Sequence, residues 1–257
     1  MIDKLLDFIY YPDKSFHNND GKRIEETKNF SNRTWEFCGR DCLTDYQKNI
    51  KKQPKDWIYN NKKVFYGINS YGYRTKEFEK IEWEKSVVLF GCSLVFGEGV
   101  NENETISSYL ENIIGYPVIN MGIGGSSNQL IFHNSLALLE KFKKPKKVIF
   151  CWTSFLRYLK YNTFNDVELM GEWSYLDKDE NYDKSYNTIM NNLLHVKSTI
   201  KMWENKSDTF NFSFFQQTSK VLRCPLLSNL IVDKSRDLVH PGPKSNLRIA
   251  NFISKKI

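Results

Sequence analysis

The stretch Val87-Val-Leu-Phe-Gly-Cys-Ser93 joins a run of four apolar residues to a glycine, a cysteine and a serine. A short apolar run that ends at a glycine is typical of a strand buried on both faces of a parallel sheet. Two comparable runs follow along the chain, Val118-Ile-Asn120 and Val148-Ile-Phe-Cys-Trp152. The three runs predict three inner strands of one sheet.

Helical patterns separate these runs. Glu104–Ile114 carries apolar residues on one face and ends at Gly115, and Asn128–Phe142 has the length of a second helix. Strand, helix, strand, helix, strand within about 65 residues is the order of a right-handed βαβαβ unit. A further helix, a strand and a terminal helix are predicted over Ser185–Asn205, Phe210–Gln216 and Leu247–Ile257. The predicted fold class is α/β, a three-layer α/β/α sandwich with a mostly parallel sheet.

The first 82 residues differ in composition from the rest of the chain. They are polar and aromatic, rich in asparagine and lysine, and lack sustained periodicity. They predict an irregular N-terminal accessory extension, residues 1–82, with room for a short strand pair. The chain has 257 residues, enough for one full α/β core, and the main domain is expected to span residues 83–257.

Positive charge is in modest excess, since 37 Lys and Arg residues against 30 Asp and Glu give a formal net charge of +7. The lysine-rich run Lys141–Lys147 follows a helical pattern and suits the solvated end of a helix. A groove for nucleic acid would interleave aromatic residues with such charges for stacking, and only Phe142 does so in this run. No nucleic-acid partner is predicted.

Five cysteines, an odd number at irregular spacings, argue against a disulfide framework and suit a reducing compartment. Cys38-x-x-x-Cys42 has no second Cys or His pair at a metal-ligand spacing, so no metal site is predicted. The apolar runs are far shorter than the roughly 20 residues that span a bilayer. The stretch Met1–Tyr11 contains two aspartates and no small-residue cleavage site. We therefore expect no membrane partner and a cytoplasmic location, unless the chain is exported by a route that its sequence does not reveal.

Glycine and small hydroxyl residues follow each predicted inner strand, in Gly91–Gly99, Asn120–Ser127 and Trp152–Arg157. Reactive groups in such sheets belong just past the carboxyl ends of the strands, where neighbouring loops converge. The glycines fit neither nucleotide motif, because Gly97-Glu-Gly99 lacks the third glycine of a dinucleotide site and a Gly-Lys-Ser/Thr phosphate loop is absent. The remaining interpretation is a nucleophilic serine, Ser93, held in a sharp turn at the tip of the first strand.

A nucleophilic serine needs a base, and the base needs a group that orients it. Among the four histidines, His17 lies in the polar extension, and His133 and His195 fall within helical patterns. His240 lies in Asp237-Leu-Val-His-Pro-Gly-Pro243, where the prolines and the glycine exclude a helix through it. The three-residue spacing lets the aspartate carboxylate turn back to the imidazole and set its tautomer. These residues complete a candidate triad.

The same residues carry a family resemblance. Gly91-Cys-Ser-Leu94 resembles the Gly-Asp-Ser-Leu block of the GDSL/SGNH hydrolases, and Asp237-x-x-His240 resembles their C-terminal block. Asn120-x-Gly-x-x-Gly125 is similar to the second block, and the order and spacing match over residues 83–257. Upstream, Asn69-Ser-Tyr-Gly-Tyr-Arg74 is similar to a segment that precedes the catalytic domain in some members. The resemblance implies a flavodoxin-like SGNH sandwich.

The resemblance also implies roles for individual residues. Ser93 would be the nucleophile, His240 the general base and then acid, and Asp237 the orienting carboxylate. Backbone N–H groups of Ser93 and Gly125 would form the oxyanion hole, and Ser154 stands where members add an asparagine side chain. Replacement donors or substrate-binding residues are expected among Asn128, Gln129 and Arg157. No metal and no other cofactor is implied.

Cys92 stands where the family has aspartate. Its thiol is the alternative nucleophile, but a residue at this position of a strand-end turn is expected to point opposite to Ser93. A buried free cysteine usually behaves as a small hydrophobic residue. Ser93 is therefore preferred.

The functional hypothesis is a serine esterase that hydrolyses short-chain carboxylic esters through an acyl-enzyme, with O-acetyl groups on a glycan as one substrate class. The aromatic-rich stretch Tyr158–Tyr186 could stack on sugar rings or simply pack. Two alternatives stay open: an O-acyltransferase that uses the same triad, and a catalytically weakened glycan-binding or structural module. Product analysis with a labelled acyl donor separates the esterase from the acyltransferase. The predicted partner is a small-molecule or glycan ester, and the sequence does not predict the oligomeric state.

Overall fold

The computed structural model describes residues 16–17, 33–163, 166–172 and 183–257. These residues form ten strands, named in chain order β1 (Phe16–His17), β2 (Arg33–Trp35), β3 (Phe37–Cys38), β4 (Tyr66–Ile68), β5 (Val87–Gly91), β6 (Val118–Gly122), β7 (Lys147–Trp152), β8 (Tyr158–Thr163), β9 (Asp166–Met170) and β10 (Asp208–Ser213). They also form seven α-helices, α1 (Leu43–Ile50), α2 (Ser93–Phe96), α3 (Ile106–Ile114), α4 (Asn128–Lys141), α5 (Tyr186–Trp203), α6 (Gln216–Leu222) and α7 (Pro243–Ser254). Short 3₁₀ turns occur at Ile58–Asn60, Phe78–Lys80, Trp83–Lys85, Glu102–Glu104 and Ser228–Leu230.

The central sheet has four parallel strands in the order β10-β7-β5-β6. β5 pairs with β6 from Val87↔Val118 onward and with β7 from Val87↔Lys147 onward, so it lies between them. The chain leaves β5 for β6 on one side and then crosses to β7 on the other. This reversal makes the carboxyl end of β5 the switch point of the sheet, where α/β proteins form their crevices.

Alternate residues of the inner strands point to opposite faces of the sheet. Val88 and Phe90 belong to one core, which includes apolar residues of α4 and α5. Val87 and Leu89 belong to a second core, which includes apolar residues of α3 and α7. All five residues of β5 are buried. The sheet is therefore covered on both faces, and the predicted three-layer α/β/α sandwich is confirmed.

Capping residues set the ends of the helices that the sequence predicted. Thr105 accepts a hydrogen bond from the Ser108 N–H at the start of α3, and Gly115 ends that helix with a φ of 69°. Ser127 accepts from the Leu130 N–H at the start of α4. The terminal helix begins earlier than predicted, at Pro243, because a proline suits the first turn of a helix.

Residues 33–82, which with Phe16 and His17 are the described part of the predicted extension, pack on the central sheet. β2 pairs with β4 and β1 with β3, both antiparallel. Buried aromatic residues of this segment share one core with Phe90, among them Tyr59, Tyr66 and Phe78. The division at residue 82 stays a prediction.

The stretch after β7 contains regular structure. β8 and β9 form an antiparallel hairpin whose register shifts between Tyr161 and Thr163. Part of the aromatic stretch Tyr158–Tyr186 lies outside the described residues, at 164–165 and 173–182. Within the described ranges, no helix combines the length and apolarity that crossing a membrane requires.

Candidate active site

Ser93 is the first residue of α2, directly past the carboxyl end of β5. The turn that carries it is packed closely against the neighbouring strand β6. A Cβ atom at Gly122 would lie 2.4 Å from the Phe96 backbone nitrogen, nearer than real Cβ atoms approach. A glycine is therefore required for β6 and α2 to come this close, and the contact holds the Ser93 turn against the sheet.

Ser93, His240 and Asp237 form one hydrogen-bonded chain. The Oγ of Ser93 lies 2.8 Å from the Nε2 of His240, a residue 147 positions later in the sequence. The Nδ1 of His240 hydrogen-bonds to Oδ2 of Asp237. Ser93 is 9% exposed and His240 7%. A hydroxyl, an imidazole and a carboxylate in this order are the groups that activate a serine as a nucleophile.

Asp237 is held by more than the imidazole. Its Oδ1 accepts hydrogen bonds from the Ser235 hydroxyl at 2.7 Å and from the backbone N–H groups of Val239 and His240, each at 2.9 Å. Burial raises the pKa of Asp237, but the charge of His240 and these hydrogen bonds outweigh it and lower the pKa to about 2. The carboxylate is therefore ionised and fixed in orientation.

The imidazole of His240 responds to two carboxylates. Burial lowers its pKa, but the negative charges of Asp237 and then Glu98 outweigh burial and raise the pKa to about 9. The imidazole is therefore mostly protonated in the resting protein at neutral pH. It becomes available as a base at alkaline pH.

Two backbone N–H groups, which follow the adjacent strands β5 and β6, are the candidates for an oxyanion hole. Ser93 opens α2, so its N–H belongs to the first turn, where it has no partner within the helix. Gly125 follows β6 and has a φ of 70°, a left-handed conformation that glycine adopts without strain. Both residues follow adjacent strands of the sheet, as the sequence predicted.

The hydroxyl of Ser154 is already engaged. Its Oγ accepts a hydrogen bond from the Leu156 N–H at 3.2 Å. Burial raises the pKa of the Glu172 carboxyl, but the Ser154 hydroxyl and Arg157 outweigh it and lower the pKa. Ser154 lies after β7, as predicted, and a contact between its hydroxyl and an oxyanion stays a prediction.

Asn128, Gln129 and Arg157 lie near the ends of the strands with their side chains in intramolecular contacts. Asn128 is fully buried and bonds the Thr153 backbone through both amide atoms, at 2.9 and 3.2 Å. Gln129 accepts from the Leu159 N–H at 3.1 Å. Arg157 pairs with Glu172 at 3.2 Å. The contacts of Asn128 hold the end of β7, and a substrate contact by any of the three stays a prediction.

The upstream segment Asn69–Arg74 supports the site through Arg74. Asn69 accepts the N–H groups of Tyr71 and Tyr73 and so shapes the turn that leads to Arg74. The buried guanidinium then donates to the carbonyls of Gly97 at 2.7 Å and Val100 at 2.9 Å. Arg74 therefore fixes the loop that follows α2, next to the nucleophile.

Sequence reasoning missed a buried ion pair beside the histidine loop. Arg236 precedes Asp237 and forms two hydrogen bonds to Asp41, Nε to Oδ1 at 2.9 Å and Nη2 to Oδ2 at 2.7 Å. Each side chain is 1% exposed. Tyr66 donates a further hydrogen bond to Asp41 at 2.5 Å. Spacing alone could not reveal a pair whose members are 195 positions apart.

Glu98 was also missed as a site residue. It lies between Gly97 and Gly99, glycines that sequence reasoning weighed only against a dinucleotide motif. Among the described residues, Glu98, Asp237 and His240 bring possible metal-ligating atoms within 4.8 Å of one another. Both ring nitrogens of His240 are already bonded, to Ser93 and Asp237, so we interpret the group as a proton-transfer network.

Cys92 is buried, with 1% of its surface exposed. The hydroxyl of Ser93, the next residue, is the group that contacts the imidazole. This arrangement favours the hydroxyl as the nucleophile.

No family model matches the sequence, and neither does any curated protein. Solved structures do resemble the chain. A protein assigned to the lipolytic G-D-S-L family from Desulfitobacterium hafniense DCB-2 has a TM-score of 0.45 and 14% identity, over 67% of this chain and 99% of that one. A carbohydrate acetylesterase family member from Sinorhizobium meliloti has a TM-score of 0.43 and 10% identity, over 67% and 96%. An acetyl xylan esterase from the rumen bacterium Butyrivibrio proteoclasticus has 0.44 and 9%, over 76% and 65%.

Proposed function

We propose that this protein is a serine esterase of the GDSL/SGNH type that hydrolyses short-chain carboxylic esters through an acyl-enzyme on Ser93. The observation that carries the proposal is the 2.8 Å contact between Ser93 Oγ and His240 Nε2, with Asp237 on the other ring nitrogen. Ser93 begins α2, whereas His240, on one loop with Asp237, lies 147 positions later in the sequence. Their convergence at the switch point of the sheet supports a catalytic role.

Acylation follows from this geometry. Once His240 is neutral, its Nε2 takes the Ser93 proton while Oγ bonds to the ester carbonyl carbon and the carbonyl electron pair moves onto oxygen. The N–H groups of Ser93 and Gly125 stabilise that oxyanion. The tetrahedral intermediate collapses, the C–O bond to the alcohol breaks, and the leaving alkoxide takes the proton from Nε2.

Deacylation repeats the same steps with water. His240 takes a proton from water, the hydroxide bonds to the acyl carbon, and collapse breaks the bond to Ser93 Oγ, which recovers its proton from Nε2. The products are a carboxylic acid and the free enzyme. The steps need no redox partner, and Asp237 keeps the imidazole in one tautomer throughout.

A short acyl group, such as an O-acetyl on a glycan, is the proposed substrate class. A long acyl chain would need an apolar cavity or lid next to the serine, and the sequence has no long apolar segment that could form such a lid.

The proposal predicts covalent labelling by a fluorophosphonate at Ser93. The activated hydroxyl should displace fluoride and form a phosphonyl ester, because the reagent reacts with serines that have a general base. Peptide mass spectrometry after labelling at alkaline pH measures the modified residue. Labelling at Cys92, or no labelling of folded protein at a reagent excess that labels a known serine esterase, would overturn the assignment.

Replacement of Ser154 by alanine should lower kcat/KM by less than about 10-fold, because its Oγ accepts from the Leu156 N–H and a serine hydroxyl reaches less far than the asparagine side chain that stands there in the family. Loss of a true oxyanion-hole donor costs about 10²–10³ in rate. Hydrolysis of a short-chain chromogenic ester by the two proteins measures the difference. A loss in the larger range would restore Ser154 as the counterpart of the family's asparagine.

A further inference from the structure

A second carboxylate lies beside the histidine. The Oε2 of Glu98 is 3.8 Å from the Nδ1 of His240, on the same ring nitrogen that bonds Asp237. Glu98 is 3% exposed. Its loop turns sharply on both sides, since Gly97 and Gly99 have φ values of 85° and 80°. The loop thus carries a carboxylate from the end of α2 back to the base.

The carboxylate of Glu98 is held by a turn of the N-terminal segment. Cys38 and Asp41 exchange backbone hydrogen bonds at 3.0 and 3.1 Å, which closes the turn. The Arg40 N–H, within this turn, donates to Glu98 Oε2 at 3.2 Å. A Cβ at Gly39 would lie 2.7 Å from both carboxylate oxygens, so a side chain at this position would displace the Glu98 carboxylate.

The same turn also contacts Arg236, the residue that precedes the other carboxylate. Asp41 bonds Arg236, the residue before Asp237, and the Arg236 N–H donates to the Gly99 carbonyl at 3.0 Å. One short turn therefore connects the loop of Glu98 with the loop of the triad carboxylate.

Buried charges are costly unless a partner compensates them. The titratable groups that act on His240 come from three elements: Asp237 on its own loop, Glu98 on the loop after α2, and Cys92 in the turn that also carries Ser93. Asp237 already has three donors besides the imidazole. The orientation of Asp237 therefore does not depend on Glu98. The position of the Glu98 carboxylate beside the ring indicates that it acts on the imidazole itself.

We propose that Glu98, held by the Cys38–Asp41 turn, is a positioning residue that stabilises the protonated form of His240 and so sets the pH range in which Ser93 is activated. The proposal deepens the proposed function, on which its catalytic meaning rests. Its effect on the imidazole does not depend on the substrate.

The first test is the titration of the His240 imidazole, followed by NMR in labelled protein and assigned by the signal lost in His240→Gln. In Glu98→Gln the apparent pKa of His240 should fall by about one pH unit or more, because a charge 3.8 Å away in a buried site is removed. Glu102→Gln removes an exposed charge four residues later and should leave the titration unchanged. An unchanged titration in folded Glu98→Gln overturns the proposal.

Glu98→Asp covers the case in which the amide variant does not fold. It keeps the charge but draws the carboxylate back, so the pKa of His240 should fall by less and in the same direction. A folded Glu98→Asp with the wild-type titration also contradicts the proposal. These titrations need no ester turnover, so they test the effect of Glu98 on the imidazole even if the protein lacks esterase activity.

The pH profile of kcat/KM supplies the catalytic test. Wild type should gain activity with an inflection near the His240 pKa of about 9, whereas Glu98→Gln should have a lower alkaline plateau and an inflection at lower pH. The deficit of the variant should therefore narrow from pH 10 to pH 7. A purely structural defect would lower kcat/KM by the same factor at every pH. Profiles of the same shape in the variant and the wild type would therefore overturn the role of Glu98 in catalysis.

Discussion

Ser93→Ala is expected to lower kcat/KM for a short-chain ester by about 10⁴-fold or more, the range seen when a serine nucleophile is removed from a triad. The hydroxyl of Ser93 contacts His240, whereas the backbone around it is held by Arg74 and by the close approach of Gly122. Removal of the hydroxyl leaves this backbone support in place. The fold should therefore survive, and far-UV circular dichroism with a thermal melt measures that directly. Steady-state hydrolysis of a chromogenic acetyl ester at alkaline pH measures the loss.

Cys92→Ala is the matched control for this experiment. It removes the neighbouring buried thiol and should keep kcat/KM within about one order of magnitude, since small changes in packing shift the turn only slightly. If Ser93→Ala remained as active as wild type while Cys92→Ala lost activity, the thiol would be the nucleophile. If both variants kept full activity, the hydrolysis would arise outside this site.

The central sheet was predictable because its strands are short apolar runs at the spacing of a βαβαβ unit. β5, β6 and β7 each appear within one or two residues of the predicted bounds. The histidine loop was predictable for a different reason: proline and glycine exclude a helix through His240, and Asp237 stands at a spacing that allows it to turn back. Local rules of this kind need only neighbouring residues.

The contacts that hold the site in place cannot be predicted from residues that are neighbours in the sequence. Arg40 and Asp41 belong to the N-terminal segment, and they contact Glu98 and Arg236, which are distant in the sequence. Periodicity failed in this segment because its strands are two or three residues long and its buried residues are aromatic side chains spread over turns. Asp41 and Arg236 would each pass for a surface charge in sequence. Their burial depends on contacts nearly two hundred positions apart.

The energetic basis of that support is a pair of charges inside the protein. Burial raises the pKa of Asp41 even though Arg236 lies against it. For Arg236, burial lowers the pKa, but Asp41 together with Tyr66 and Glu36 outweighs burial and raises it. Desolvation of the pair is thus large, and hydrogen bonds and the rings of Phe37 and Tyr46 beside the guanidinium offset it. Breaking such a pair by removing one partner leaves the other charge buried and uncompensated.

Asp41→Asn is therefore expected to lower the free energy of unfolding by about 3–5 kcal/mol, the usual cost of removing one member of a buried ion pair. Urea denaturation followed by tryptophan fluorescence measures the change, and Asp45→Asn, which removes a charge from an exposed pair with Lys48, should cause no measurable loss. Adding Arg236→Met should recover part of the stability, because both buried charges are then gone. A loss below about 1 kcal/mol in Asp41→Asn would mean that the Asp41–Arg236 pair does not hold the N-terminal segment on the histidine loop.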